Sequence, residues 1–367
     1  MVDLMMINRL EGNVRQNKEY VMKHKRLIGT LALIALTVLF GVMPVQAGDP
    51  ARTGTAAGEQ LLVPVGARGF AMGGSDVAFT SGLDALYYNP AGFGKMNRNA
   101  LGTFSTMQIF NDINVNYLAL GVKAGNLGNI AFSLKAFDFG DIPVTTNQDL
   151  NGASGATFSP TYITGALTFA RQLTDGIAVG LTGKVISESV PRASANAVAF
   201  DIGVQYAGLG GINGLALGVA VKNIGTNMSY SGSAFTTRAT DDGATASDFR
   251  DRPTATHELP STIQIGLGYA YEVNEENSLS LNGNFENANF GDDQFLLGVE
   301  YSYDNLFMLR GGYRMVDNVD PDNQLYTWTM GVGLNYDFGG TNLMFDYGFR
   351  DSQYFDGNNL FQLTIGF

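Results

Sequence analysis

From about residue 100 to the C-terminus, apolar and small-or-polar positions alternate with a period of two. The cleanest run puts Tyr326, Trp328, Met330, Val332, Leu334 and Tyr336 on one face and Thr327, Thr329, Gly331, Gly333 and Asn335 on the other. The same division separates Leu215, Leu217, Val219 and Val221 from Ala216, Gly218, Ala220 and Lys222. It also separates Ile263, Ile265, Leu267, Tyr269 and Tyr271 from Gln264, Gly266, Gly268 and Ala270. A period of two is the mark of a strand with one apolar face. Segments of this kind fall near 101–110, 112–123, 129–138, 158–171, 177–187, 197–206, 215–223, 261–272, 278–286, 293–303, 306–315, 325–337, 341–350 and 359–367, fourteen in all. Most have about the nine to eleven residues that a tilted strand needs to cross a bilayer. An even number brings both ends of the chain to one side of a closed barrel.

The connections sort into two sets, as they do in a membrane barrel whose turns are short on one side and whose loops are long on the other. Those at 124–128, 172–176, 207–214, 273–277, 304–305 and 338–340 are brief. Those at 139–157, 188–196 and 224–260 are long, and only the first outer connection, at Asn111, is tight. Strands that run toward the short-turn side finish on Phe169, Tyr206, Tyr271, Tyr303, Tyr336 and Phe367. Aromatic rings favour the headgroup level, so these predict a girdle. In the last strand Phe361, Leu363, Ile365 and Phe367 share one face, and the chain ends on the aromatic. This resembles the assembly signal read by the outer-membrane barrel assembly machinery.

Composition agrees with a barrel in lipid. Charged residues make up 15% of the 367 residues, against about 25% in ordinary soluble domains. There are 47 glycines, 24 Phe, 16 Tyr and no cysteine, and the formal net charge is -12. The missing cysteines exclude a disulfide scaffold and a Cys-ligated metal, and the acidity argues against a nucleic-acid partner.

The N-terminus carries a basic head at Met22–Arg26, an apolar run from Leu27 to Met43, and Val45-Gln46-Ala47 ahead of Gly48. These are the three parts of a secretory signal peptide. Residues 1–47 are therefore expected to be an N-terminal extension plus signal peptide, cleaved after Ala47, with Met22 the true initiator. The alternative, a transmembrane helix, would be close to the lower length limit of about 17 residues. Without residues 1–47 the net charge is -15 and His257 is the only histidine.

Charges that face away from the apolar stripe are Lys135, Lys184, Asp201, Lys222, Glu300, Arg310, Arg314, Asp346 and Arg350. A Lys or Arg facing lipid costs about 2–4 kcal/mol near the midplane, so these belong to the lumen. Glu300 and Arg310 flank one short hairpin and are expected to lie opposite each other. Fourteen strands leave a lumen wider than side chains alone fill. Residues 48–100, glycine-rich and not strand-periodic, are the candidate plug, with Arg68, Gly73, Gly74, Asn89, Pro90 and Ala91 its candidate gate residues and a short helix expected from about Ser81. Gly73-Gly74 lacks the following Lys-Ser/Thr of a phosphate-binding loop.

Gly66-Ala67-Arg68 through Met72-Gly73-Gly74, followed by Leu86-Tyr87-Tyr88-Asn89-Pro90-Ala91-Gly92, resembles the N-terminal signature of the PorV/PorQ family, within the wider group typified by FadL, the long-chain fatty-acid channel. Phe137–Pro143, Ala197–Gly203 and Val221–Gly225 also match, while Ile109–Asp112 departs from the Trp-containing tip expected there. The resemblance covers essentially the whole chain after residue 47. It implies an all-β, fourteen-stranded antiparallel transmembrane barrel over 101–367 with an N-terminal plug, in the outer membrane of a Gram-negative-type bacterium. It implies two roles that the residues do not separate: a conduit for a hydrophobic molecule, or a type IX secretion protein that docks secreted cargo through loops 139–157 and 224–260.

No cofactor, metal or catalytic residue is expected. His257, beside Glu258 and near Asp251 and Ser261, is one histidine in a long loop. The acidic runs Asp317/Asp320/Asp322 and Asp241/Asp242/Asp248/Asp251 lack the glycine and terminal glutamate of a calcium loop.

Overall fold

A computed structural model describes residues 50–110, 113–240 and 247–367. The signal peptide read at 1–47, the tight turn at Asn111 and the acidic pair Asp241/Asp242 lie outside the described residues.

Fourteen antiparallel strands close into one barrel. They are β1 (Ala100–Ile109), β2 (Ile113–Lys123), β3 (Asn129–Asp138), β4 (Thr161–Gln172), β5 (Ile177–Val190), β6 (Ala193–Ala207) and β7 (Leu215–Gly225). The second half is β8 (Thr262–Glu272), β9 (Asn277–Ala288), β10 (Gln294–Tyr303), β11 (Phe307–Val316), β12 (Trp328–Phe338), β13 (Thr341–Arg350) and β14 (Asn358–Gly366). Each strand pairs with its neighbours in the chain, and β1 pairs with β14 from Leu101↔Gly366 to Gln108↔Asn359. Both ends of the barrel chain therefore meet, and the Asn99 N–H donates to the Phe367 carbonyl at 2.8 Å.

The apolar stripe faces outward all round. Leu120, Leu167, Ile202, Leu309, Met330 and Phe345 are all exposed, as are the girdle residues Phe169, Tyr206, Tyr271, Tyr303, Tyr336 and Phe367. Phe361 and Leu363 are exposed on β14, and Ile365 is half-buried. An apolar band of this extent is the surface that a bilayer covers.

Two expectations need correction. The connection at 188–196 is not long: β5 and β6 extend to Val190 and Ala193, and Pro191-Arg192 alone turns the chain, with Arg192 at φ 69°. Its residues Ser187–Asn196 lack an apolar outer face because this hairpin continues past the apolar band. Its inward Ala195 and Ala197 pack with Met228 of the long loop. Tyr326, placed on the outward stripe by its spacing, precedes β12 and turns inward to stack on the Arg350 guanidinium, 3.6 Å from ring centroid to Cζ. A buried cation offers the ring more than the lipid face does at a strand end.

Residues 50–99 form short turns and two helices, α1 (Ala67–Ala71) and α2 (Ala85–Tyr88). This segment lies inside the barrel and runs almost fully round its wall. Residues 67–71 lie on β11–β14, Met72–Ser75 on β10 and β11, Val77–Phe79 on β7 and β8, Asn89–Ala91 on β5 and β6, and Phe93 on β2 and β3. The close approach is made possible by glycines on the inward face. They sit opposite one another across neighbouring strands as Gly180↔Gly203, Gly218↔Gly266, Gly298↔Gly312 and Gly331↔Gly348. A Cβ at any of these eight would crowd the segment: at Gly180 it would enter the Pro90 carbonyl, at Gly218 that of Val77, and at Gly348 it would come 2.7 Å from the Phe70 ring. Glycine weakens a strand by roughly 0.5–1 kcal/mol, and here the contact with the segment offsets that cost. Phe70, Leu83, Leu86 and Phe93 add an apolar anchor against Met107, Val115, Tyr117 and Leu360 of the wall. Each fully buried large side chain stabilises by about 1.5–3 kcal/mol.

The belt makes a positional prediction. Gly180→Ala is expected to destabilise the folded barrel by about 1–3 kcal/mol, the usual cost of overpacking. Gly183→Ala, whose Cβ meets only the Phe200 ring at 3.7 Å, is expected to change nothing. Heat-induced loss of the compact gel band in detergent compares the two.

Candidate functional site

The ends of the strands near the long loops surround a cavity of about 510 Å³ between the N-terminal segment and the wall. That size is within the usual range for ligand pockets. One side is apolar and aromatic, with Ile109, Ile113, Phe137, Phe139 and Tyr162 from the barrel. The segment contributes Leu61, Phe70 and Tyr87 as the floor. Phe139 makes ring contacts with Phe137 and Tyr162, with centroids 6.1 and 4.9 Å apart. The opposite side is polar, with Lys222, Thr262, Gln264, Glu286, Arg314 and Arg350.

Under this cavity a charged network ties the segment to the barrel. Arg68 on α1 donates through Nε and Nη2 to the two oxygens of Glu300 on β10, both at 2.9 Å, and through Nη1 to Asp76 at 2.6 Å. Arg310 on β11 donates to the same Glu300 at 2.7 Å and to Asp346 on β13 at 2.6 Å. Glu300 and Arg310 are direct cross-strand partners. Bidentate Arg–carboxylate pairs are the strong and geometrically specific ones. Asp84, just ahead of α2, accepts from Gln362 of β14 at 2.7 Å. Burial pushes its carboxyl up to about 6, and the nearby Asp346 adds to the rise, while Gln362, Arg310 and Arg68 oppose it.

A second group surrounds Tyr87. The ammonium of Lys222 sits 4.2 Å from its ring centroid and that of Lys135 5.3 Å, and Lys135 also donates to the Val63 carbonyl at 2.9 Å. Lys184 pairs with Asp201 at 2.5 Å and donates to Asn223 Oδ1 at 2.7 Å. The Asn223 backbone N–H, at φ 61°, donates to Asp201 at 2.8 Å where the β6–β7 register slips by one residue. The runs Ala197–Gly203 and Val221–Gly225 meet at this bulge.

The structure thus brings Arg68, Glu300, Arg310 and Asp346 into one network and Lys184 with Asp201 into another. Arg314 stands apart on the cavity wall, and Arg350 is held by Asn358 at 2.8 Å and stacks on Tyr326. Gly73 and Gly74 turn the segment at φ 69° and 87°, where β-carbon-bearing residues are strained. Asn89 is fully buried and holds three groups: it donates to the Val77 and Val204 carbonyls at 2.9 and 3.1 Å and accepts from Ala91 N–H. Pro90 and Ala91 lie over Gly180 and Gly203. Outside these groups, His257 is tied to the Thr55 carbonyl through Nδ1 at 3.1 Å, and Asp320 caps the turn at Pro321–Asn323.

Asp76 and Asp84 carry no signal in the sequence because their segment has no periodicity, Tyr87 appears there only within the signature residues, and Gln362 is an uncharged residue on the inward face of the last strand. The belt glycines had a visible signal, because they recur on the small-or-polar face of strand after strand.

No protein-family model and no curated protein sequence matches the chain. Solved structures do. The TodX deltaS2S3 mutant monoaromatic hydrocarbon channel superposes with a TM-score of 0.50 at 14% identity, covering 82% of this chain and 97% of that one. The Pseudomonas putida toluene transporter TodX gives 0.49 at 14%, with the same coverage, and a Pseudomonas aeruginosa FadL homologue gives 0.41 at 13%, covering 83% and 98%. At this identity the likeness to the TodX mutant is one of fold, a closed antiparallel β-barrel.

The environment of Asp84 sets a pH dependence. Its carboxyl titrates higher in the folded protein than in the unfolded chain. The stability it contributes is therefore complete below about pH 4 and is lost as pH rises through about 6. Melting temperatures between pH 4 and 8 are expected to fall as pH rises, and Asp84→Asn is expected to flatten that slope by about 2–4 °C.

Proposed function

We propose that the protein is a non-enzymatic conduit of the FadL-like kind in the outer membrane, with residues 50–99 acting as the plug of its lumen. The observation that carries this reading is the cavity between plug and wall, at the end of the barrel with the long loops. A hydrophobic molecule arriving from outside meets Ile113, Phe137, Phe139 and Tyr162 first and is stopped by Phe70 and Tyr87 of the plug. Burying apolar surface there at about 25 cal/mol per Å² supplies the affinity. The neighbours of the same fold are described as a monoaromatic hydrocarbon channel and a toluene transporter, which supports an apolar cargo. Within this reading the chain is of the PorV/PorQ type. The support is the signature residues Gly66–Gly74 and Leu86–Gly92, which form the contacts of α1 and of Asn89–Ala91 with the wall. Type IX docking of a secreted protein is the alternative, and it places binding in loops 139–157 and 224–260.

The apolar fluorophore 1-N-phenylnaphthylamine tests the conduit. The purified barrel is expected to bind it with a rise in emission. Phe139→Asp, which sets a charge in the apolar half, is expected to weaken binding at least tenfold while the compact gel band persists. Equal binding by the variant, or a secreted protein that co-purifies and is lost on trimming 224–260, would turn the assignment toward docking.

A further inference from the structure

The segment is not held equally well all round. On β10–β14 it is fixed by Arg68–Glu300, by the Ala67 N–H on Gln362 at 2.7 Å and by Thr329 on the Ala71 carbonyl at 2.8 Å. On β3–β6 it is fixed by Asn129 on the Phe93 carbonyl at 2.7 Å and by Asn89. The arc between, on β8 and β9, is different: the ties there go to the flanking loops, where Arg52 holds Glu258 at 3.0 Å and Asn289 at 3.3 Å. The inward face of β9 is polar along its length, with Ser278, Ser280, Asn282, Asn284 and Glu286 alternating with Leu279, Leu281, Gly283 and Phe285. Where β8 carries Gly266 and Gly268, β9 carries Asn284 and Asn282 directly opposite them.

Both amides are buried and only Asn282 Nδ2 has a partner, donating to Ser280 Oγ at 3.1 Å. Asn284 is 0% exposed and neither side-chain atom has a partner, and Oδ1 of Asn282 has none. The same holds for Gln264 Oε1 and Thr262 Oγ1 on β8 and Ser302 Oγ on β10. The segment offers them little: Val77 packs on Gly266 and the Phe79 ring on Gly268, while the Val77 carbonyl is taken by Asn89 and Gln205. A buried polar atom without a partner costs about 1–3 kcal/mol, and water repays it only when the two surfaces separate. The wall that would be wetted joins the polar side of the cavity, at Thr262, Gln264 and Glu286, to Ser280 and Ser278 toward the opposite end of the barrel.

We propose that the N-terminal segment parts from the barrel along β8 and β9, and that the cleft so opened passes small uncharged polyhydroxy solutes. Amides and hydroxyls on one wall both donate and accept, which suits a hydroxyl-rich neutral molecule, and the carboxylate of Glu286 at the cavity end is engaged by the Gln264 amide. The proposal rests on the reading of residues 50–99 as a plug and adds a polar route beside the apolar pocket.

The full-length protein in liposomes tests it by swelling in arabinose. The chain has no cysteine, so the double variant V77C/G266C provides a single reversible tether. A Cβ at Gly266 would lie 3.2 Å from that of Val77, near the span a disulfide bridges. The oxidised variant is expected to pass arabinose at least fivefold more slowly than the same variant reduced, and reductant to restore the rate. The pair N282L/N284L, which replaces these amides by apolar groups with the same number of heavy atoms, is expected to slow arabinose severalfold without altering phenylnaphthylamine binding. Arabinose entry no faster than in protein-free vesicles, or entry indifferent to both the tether and the leucine pair, overturns the polar route. Loss of fluorophore binding with tether-sensitive arabinose entry intact instead overturns the apolar pocket and leaves the route standing.

Discussion

The constraint on which the rest depends is the fit between a peptide segment and the inside of a wall with its side chains removed. A fourteen-stranded barrel is too wide for its own inward side chains to fill. Here the filling is backbone, laid round the wall where paired glycines leave room. Gly180↔Gly203, Gly218↔Gly266, Gly298↔Gly312 and Gly331↔Gly348 are the places where segment and strand come within contact distance. These eight glycines serve packing between layers, and their cost to the strands is recovered only with the segment in place.

Charge acts on top of that fit. Arg68 reaches from α1 to Glu300, which Arg310 also holds, and Arg310 in turn reaches Asp346. The chain of pairs spans β10, β11 and β13 and so joins the segment to three strands at once. Breaking a buried pair by removing one partner is more costly than the pair's net worth, because it strands the other charge. The network therefore specifies where the segment sits more than it adds to overall stability.

Much of the architecture was legible because a two-sided barrel wall has to alternate. Strands whose outer face meets lipid, such as Thr262–Glu272 and Trp328–Phe338, carried the pattern without interruption. It faded where that demand ends. The hairpin Ser187–Asn196 stands beyond the apolar band, so nothing required an apolar outer face and it read as a loop. Tyr326 kept the rhythm of its strand but left the strand to cover Arg350. The candidate site was legible on the barrel side, where a charge in an alternating strand must point inward. It was much less so in residues 50–99, where Asp76, Asp84 and Tyr87 take their places from contacts with strands far along the chain.

The distribution of satisfied and unsatisfied contacts gives the segment a direction. A body gripped on β10–β14 by ion pairs and on β3–β6 by amide–carbonyl bonds cannot leave the wall everywhere at equal cost. On β8 and β9 the packing that Val77 and Phe79 lose against glycines on separation is offset as Asn282, Asn284 and Gln264 gain partners in water. A wall built only for tight closure would carry small apolar residues there, as β7 carries Ala216, Gly218 and Ala220. Asparagines are retained on an arc where the segment is tied only through the loops beyond the strand ends, and that coincidence of grip at the ends with a polar surface between is what distinguishes a seam from a defect in packing.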